Sequence, residues 1–182
     1  MRASNLELEK LIVGCLDNDR LSQKQLYELY APKMFVVCQR YAKDSHEAED
    51  MLMEGFLQVF KSLRTYKSES SFDNWIRSVM VKSAISHYRS VRRFRNESGW
   101  DNLEEVNVAD EQETIVSSLE AKQIVALMEQ MPDTLRTVFN MKAIDGFSFK
   151  EIAELLDKKE NAVRISYMRA RQWLMAELEK DI

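Results

Sequence analysis

Arg164, Arg169 and Arg171 fall within two helical turns near the end of the chain, with Asn161, Ser166 and Met168 among them. An arginine fork can give two parallel hydrogen bonds to guanine O6 and N7 or grip a phosphate, and an asparagine can read adenine. That is recognition chemistry, with no bond made or broken. A second basic group lies upstream: Lys82 to Arg95 holds five cations (Lys82, Arg89, Arg92, Arg93, Arg95) and no acid, with Tyr88, Phe94 and Trp100 interleaved. Cations neutralise phosphate and rings stack on unpaired bases, a pairing suited to opened DNA. The alternative for each group is a solvated helix face, arginines near a helix C-terminus being favoured by its dipole.

No other residues make a reactive set. There is no phosphate-binding loop, and His46, His87, Cys15 and Cys38 have no metal-ligand spacing. The cysteines read as small packing residues in a reducing cytosol. No cofactor, metal or catalytic group is expected. The net charge of −4 excludes a generic polyanion binder, so any nucleic-acid surface is local. Residues 1–20 lack an apolar core of signal-peptide type, and no run approaches a bilayer span, so a cytoplasmic protein is expected.

The elements that must position these residues are helical. Four glycines and two prolines in 182 residues are too few for an all-β chain. Leu6 to Leu16 suggests a short helix. A second is expected from about Leu21 to Ala42, with Pro32 kinking or splitting it. A third follows Asp44, which has capping-box spacing to Glu47. Its stripe of Ala48, Leu52, Phe56, Val59 and Phe60 leaves Met51, Met53 and Leu57 over, beside Glu47, Asp50 and Glu54. Surplus apolar residues beside charge suggest a partner surface, and a wide buried face is the alternative. Thr65–Ser71 reads as a loop, and Ser70 or Ser71 as the cap of a fourth helix, whose Phe72, Trp75, Val79 and Met80 read as core.

From Glu97 to Glu120 there are eight acids and no Lys or Arg. With the loss of periodicity between Asn96 and Thr114, this divides an all-α chain into two helical domains, 1–95 and 117–182, joined by an acidic linker, 96–116. In the second half Ser117 and Glu120 have capping-box spacing, Pro132 suits a first helical turn, Gly146 ends a helix, and Ser148 and Glu151 form another capping pair. A short helix through Ile152, Ala153 and Leu156, a turn at Asp157–Glu160 and a long helix to about Glu179 have the layout of a helix-turn-helix. Ala162, Val163, Tyr167 and Ala170 would face inward. Asn161, Arg164, Ser166, Met168, Arg169 and Arg171 would face the groove.

Taken in order, these segments resemble an extracytoplasmic-function sigma factor of the sigma-70 family over about residues 21–179. Glu47-Ala-Glu-Asp-Met-Leu-Met-Glu-Gly-Phe-Leu resembles region 2.2, with Asp50 and Glu54 on its usual acidic positions and Met53 in place of the usual Gln. Phe72-x-x-Trp75-Ile76 resembles the start of region 2.3, and Ser83–Arg93 resembles region 2.4, with Lys82 where members commonly carry Asn. Phe149-x-Glu151-Ile152-Ala153 and Asn161-Ala-Val-Arg164 through Arg169-Ala-Arg171 resemble region 4.2. Asp157 stands at a common Gly position, which Asp tolerates better than most residues.

The resemblance implies a promoter-specificity subunit. Glu47, Asp50, Met51, Met53, Glu54 and Leu57 would dock on the polymerase. Lys67, Ser68, Ser70, Ser71, Lys82, Ser83, Ser86, His87, Arg89, Arg92 and Arg93 would meet the minus-10 element. The long helix would read minus-35. Implied partners are core RNA polymerase (β′ clamp helices and β flap), promoter DNA and an anti-sigma factor, with no small-molecule substrate. On the residues alone two rivals stay open. One is a helix-turn-helix regulator that binds duplex DNA without polymerase. The other is a helical adaptor that binds no DNA.

Overall fold

The computed structural model describes residues 5–67, 71–94, 127–128 and 130–180, and all structural statements concern these. Every regular element among them is helical. The chain forms two compact units, Met1–Ser90 and Val91–Ile182. The expected linker, the Ser117–Glu120 capping pair, Ser68, Ser70, Arg95 and Trp100 lie outside the described residues. So do the side chains of Arg92, Arg93 and Phe94.

The first unit contains α1 (Asn5–Leu16), α2 (Arg20–Gln39), α3 (Ser45–Ser62), a 3-10 turn (Leu63–Thr65) and most of α4 (Phe72–Phe94). Asp19 caps α2, its carboxylate accepting from the Ser22 amide at 2.8 Å and the Ser22 hydroxyl at 2.6 Å. α2 runs unbroken through Pro32, so the expected split does not occur. Leu26 and Tyr30 before the proline and Met34, Val37 and Cys38 after it are all buried, and that burial outweighs the lost hydrogen bond. Pro32 itself is exposed, as is Glu28, the residue to whose carbonyl it cannot donate.

Asp44 caps α3 by accepting from the Glu47 amide at 2.9 Å. Glu47 returns the contact one residue early, to the Lys43 amide at 2.7 Å. Ser71 is the cap of α4, its hydroxyl accepting from the Asn74 amide at 3.3 Å. α3 and α4 cross closely at Gly55, where a Cβ would fall on the Sδ of Met80. Asp73 in the first turn of α4 ties that helix to α2, accepting from Lys33 Nζ at 3.0 Å and Tyr30 Oη at 3.3 Å.

The second unit contains α5 (Asp133–Phe139), a π-turn (Asn140–Ile144), α6 (Phe149–Leu156) and α7 (Glu160–Lys180). Pro132 precedes the first helical residue of α5 as its N-cap. Gly146 follows the π-turn with φ 77°, the conformation glycine adopts without strain. Leu127, Met128, Met131, Phe139, Ala170 and Leu174 form one buried cluster.

Candidate functional site

The helix-turn-helix is built from signals that are local in sequence. Ser148 and Glu151 form a complete capping box at the start of α6. Ser148 Oγ accepts from the Glu151 amide at 3.2 Å, and Glu151 Oε2 accepts from the Ser148 amide at 2.8 Å. α6 ends at Asp157, which takes the left-handed conformation (φ 56°, ψ 51°). The Lys158 amide then reaches the Ala153 carbonyl at 2.9 Å, satisfying an orphan carbonyl while the chain reverses. Ile152, Ala153 and Leu156 of α6 are buried, as are Val163, Ile165 and Ala170 of α7.

The outer side of α7 presents Asn161 and Arg169, both exposed, with Arg164, Met168 and Arg171 half-buried. Arg164 is already engaged. Its guanidinium pairs with Glu160 at 2.8 Å and lies 4.6 Å from the centre of the Phe149 ring, with Lys142 5.0 Å from the same ring. Ser166 is corrected. It is wholly buried and its hydroxyl has no partner, so it does not face a groove. Val163, Ser166 and Ala170 share one face at i, i+3 and i+7, and that phase overrides the polar side chain.

On α3, Asp50, Met53, Glu54 and Leu57 form one exposed stripe at i, i+3, i+4 and i+7. Met53 is 62% exposed and Leu57 58%, high values for large apolar side chains. Met51 is corrected: it is wholly buried, because it sits on the same face as Ala48 and Gly55. Glu47 is half-buried and carries the helix-start contact already described.

On α4, Lys82 and Ser86 are exposed and Arg89 is half-buried. Tyr88 is buried and belongs to the core, and Ser83 is buried too but lines a groove on the same side of α4 as Lys82 and Ser86. His87 is also drawn away from the basic group. Its ring is 14% exposed and points at α3, with Nδ1 3.0 Å from Glu54 Oε2 and Nε2 3.8 Å from Glu47 Oε1. Between α3 and α4 lies an open groove of about 530 Å³, lined by Leu57, Val79, Lys82, Ser86, Glu54 and Gln58 among others.

Lys67, at the start of the polar loop, is exposed. Sequence reading overlooked how this loop is anchored. Tyr66 before it and Phe72 after it meet edge-on at 5.1 Å. Trp75 lies 5.5 Å from Tyr66, and Tyr30 lies 5.3 Å from Phe72. Aromatic residues flanking a polar loop on both sides were the available signal. The Tyr30 hydroxyl is held above its ordinary pKa by burial and then by the Asp73 charge, so it stays protonated as the donor to Asp73.

Burial pushes the Cys15 thiol up to about 11, with Asp19 adding to the shift, and the Cys38 thiol up to about 12. Both are protonated at neutral pH, unsuited to nucleophilic or redox work. Among the described residues no three His, Cys, Asp or Glu gather as a metal site, and no helix is long and apolar enough to cross a membrane.

Comparison with known proteins gives two matches in chain order. The family model for Sigma-70 region 2 matches residues 26–94, and that for Sigma-70, region 4 matches residues 121–174. The ECF RNA polymerase sigma-E factor of Escherichia coli is 27% identical over 152 residues, covering 79% of each chain. The sigma-E factor of Haemophilus influenzae is 24% identical over 183 residues, covering 94% of this chain and 95% of its own. Among solved structures, the fold is similar to that of the sigma factor RpoE of Bartonella quintana, in a co-crystal with the anti-sigma factor NepR. The TM-score is 0.50 at 18% identity, covering 87% of this chain and 98% of that one. With both regions matched in order over well over half of its length, the chain belongs to the extracytoplasmic-function sigma factors.

Proposed function

We infer that this protein is a promoter-specificity subunit that binds core RNA polymerase and directs it to start sites through minus-35 and minus-10 elements. The observation that carries this reading is the pair of sigma regions in order, the second of them on a complete helix-turn-helix. We assign residues 1–95 to polymerase docking and minus-10 recognition, 96–116 to a linker, and 117–182 to minus-35 recognition.

In this assignment the stripe Asp50, Met53, Glu54 and Leu57 docks on the β′ clamp helices, and the second domain meets the β flap. Asn161, Arg164, Met168, Arg169 and Arg171 meet minus-35 duplex. For Arg164 this requires Glu160 to give way to a base or phosphate. Lys67, Ser68, Ser70, Lys82, Ser86, Arg89, Arg92 and Arg93 meet the minus-10 strand, and Ser71 contributes while capping α4. Unstacking duplex costs about 1.4 kcal/mol per base-pair step, and capture of extruded bases with phosphate neutralisation offsets part of it. The protein acts in the cytoplasm, performs no covalent chemistry itself, and is held in check by an anti-sigma partner, as the Bartonella relative is bound by one.

The test is run-off transcription with core polymerase on a promoter library. New start sites that depend on the protein are expected. No new start sites, together with no binding to core polymerase, would overturn the reading.

A further inference from the structure

His87 is a site residue whose geometry fits neither DNA contact nor plain core packing. It projects from α4 one residue past Ser86, which lies on the exposed side with Lys82, yet its ring turns to α3. A carboxylate only accepts hydrogen bonds, so Nδ1 carries the proton and donates to Glu54 Oε2 at 3.0 Å. On the other edge, Nε2 stands 3.8 Å from Glu47 Oε1, while the second oxygen of Glu47 is held by the Lys43 amide at 2.7 Å. One imidazole thus spans two carboxylates seven residues apart on α3. Glu47 is fixed by the start of its own helix. Glu54 has 54% of its side chain exposed and, apart from this bond, projects among the exposed residues of the docking stripe.

We propose that His87 is a positioning residue for polymerase docking: it holds the Glu54 carboxylate in one orientation on the α3 stripe and joins it to the helix that carries Lys82 and Ser86. The proposal rests on the reading of that stripe as the docking face. A long, exposed glutamate otherwise loses side-chain freedom when a partner binds, and fixing it beforehand removes that cost from association. The same bond makes the docking helix and the basic helix one mechanical piece at this point.

The test is a double-mutant cycle on the full-length protein, read as affinity for core polymerase, with His87→Leu, Glu54→Ala and the double variant. His87→Asn serves as the rescue, because its amide nitrogen can take the place of Nδ1. His87→Leu is expected to weaken core binding about two- to tenfold. His87→Asn should recover most of that loss, and His87→Leu should cost nothing further once Glu54 is alanine. Unchanged affinity in His87→Leu overturns the proposal. So do losses that add in full in the double variant, or a failed rescue by an Asn variant that melts at the wild-type temperature. Should the Leu variant not fold, His87→Ala takes its place in the cycle against Glu54→Ala and decides in the same way, no coupling refuting the proposal. Asp50→Lys is the control for the docking face. If wild type binds core, Asp50→Lys does not, and His87→Leu matches wild type, only the His87 proposal fails. If wild type does not bind core, both fail.

Discussion

Replacing Ser166 with alanine separates the two roles the sequence and the structure give it. As a groove-facing residue it would contribute to promoter affinity and its loss would weaken binding. In the structure its hydroxyl is wholly buried between the turns that carry Val163 and Ala170 and has no partner. A buried, unsatisfied hydroxyl costs about 1–3 kcal/mol. Alanine is also the better helix former, by up to about 0.7 kcal/mol. Against this stands the small void left by one oxygen, so Ser166→Ala should stabilise the second unit by about 1 kcal/mol. The assay is native-state amide exchange in the full-length protein, followed at Val163, Ala170 and Leu174, where opening of the α7 core is reported residue by residue. A gain of about 1 kcal/mol slows those amides about fivefold. Affinity for minus-35 duplex should stay at the wild-type value. Faster exchange would mean that the hydroxyl makes a bond of real value, and weaker DNA binding would mean that Ser166 faces the groove. Either result refutes the burial reasoning.

Gly55→Ala should destabilise the first unit by about 1–3 kcal/mol, because the new methyl falls on the buried Met80 side chain; thermal melting monitors it. Asp157→Val should cost about 1–2 kcal/mol in the second unit and Asp157→Gly should be tolerated, since position 157 is left-handed; exchange at the start of α7 separates the two. The Asp44 carboxyl is held below its ordinary value of 3.8, chiefly by the Glu47 amide. Its folded-state value is depressed, so its stabilising effect is present above about 3.8 and disappears as pH falls through the lower folded value. Protection of the amides at the start of α3, taken relative to their intrinsic exchange at each pH, should therefore fall on acidification in wild type and less so in Asp44→Asn, and identical acid limbs would refute the cap. Arg169→Ala should weaken minus-35 binding by about 1–3 kcal/mol and relax sequence preference if the side chain reads a base. Unchanged preference in a binding-site selection would remove it from the reading set.

What the chain disclosed in sequence was what a few neighbouring residues decide among themselves. The caps at Asp44, Ser71 and Ser148 and the turn at Asp157 needed no knowledge of the rest of the fold. The errors came where packing between distant segments prevails. Pro32 interrupts no helix because buried residues on both sides hold α2 together. Met51 belongs to a buried face wider than the stripe of Ala48, Leu52, Phe56, Val59 and Phe60 marked out, and Ser166 was placed by its polar side chain although helical phase set its direction. Tyr88 was judged by its basic neighbours and is core. The turn of His87 toward Glu47 and Glu54 depends on the pairing of α3 with α4, which no periodicity in either helix announces.

The aromatic clasp around the polar loop bears on how such a protein can change over generations. Tyr66 and Phe72 hold the two ends of residues 67–71 together, backed by Trp75 and Tyr30. Closure is therefore secured by residues outside the loop. Lengthening a closed loop adds only about 0.6 kcal/mol per doubling. The clasp itself sets no limit on the loop's length, so short insertions between Tyr66 and Ser71 can accumulate while the clasp stays as it is. Loop length and foldedness can then be inherited as separable traits.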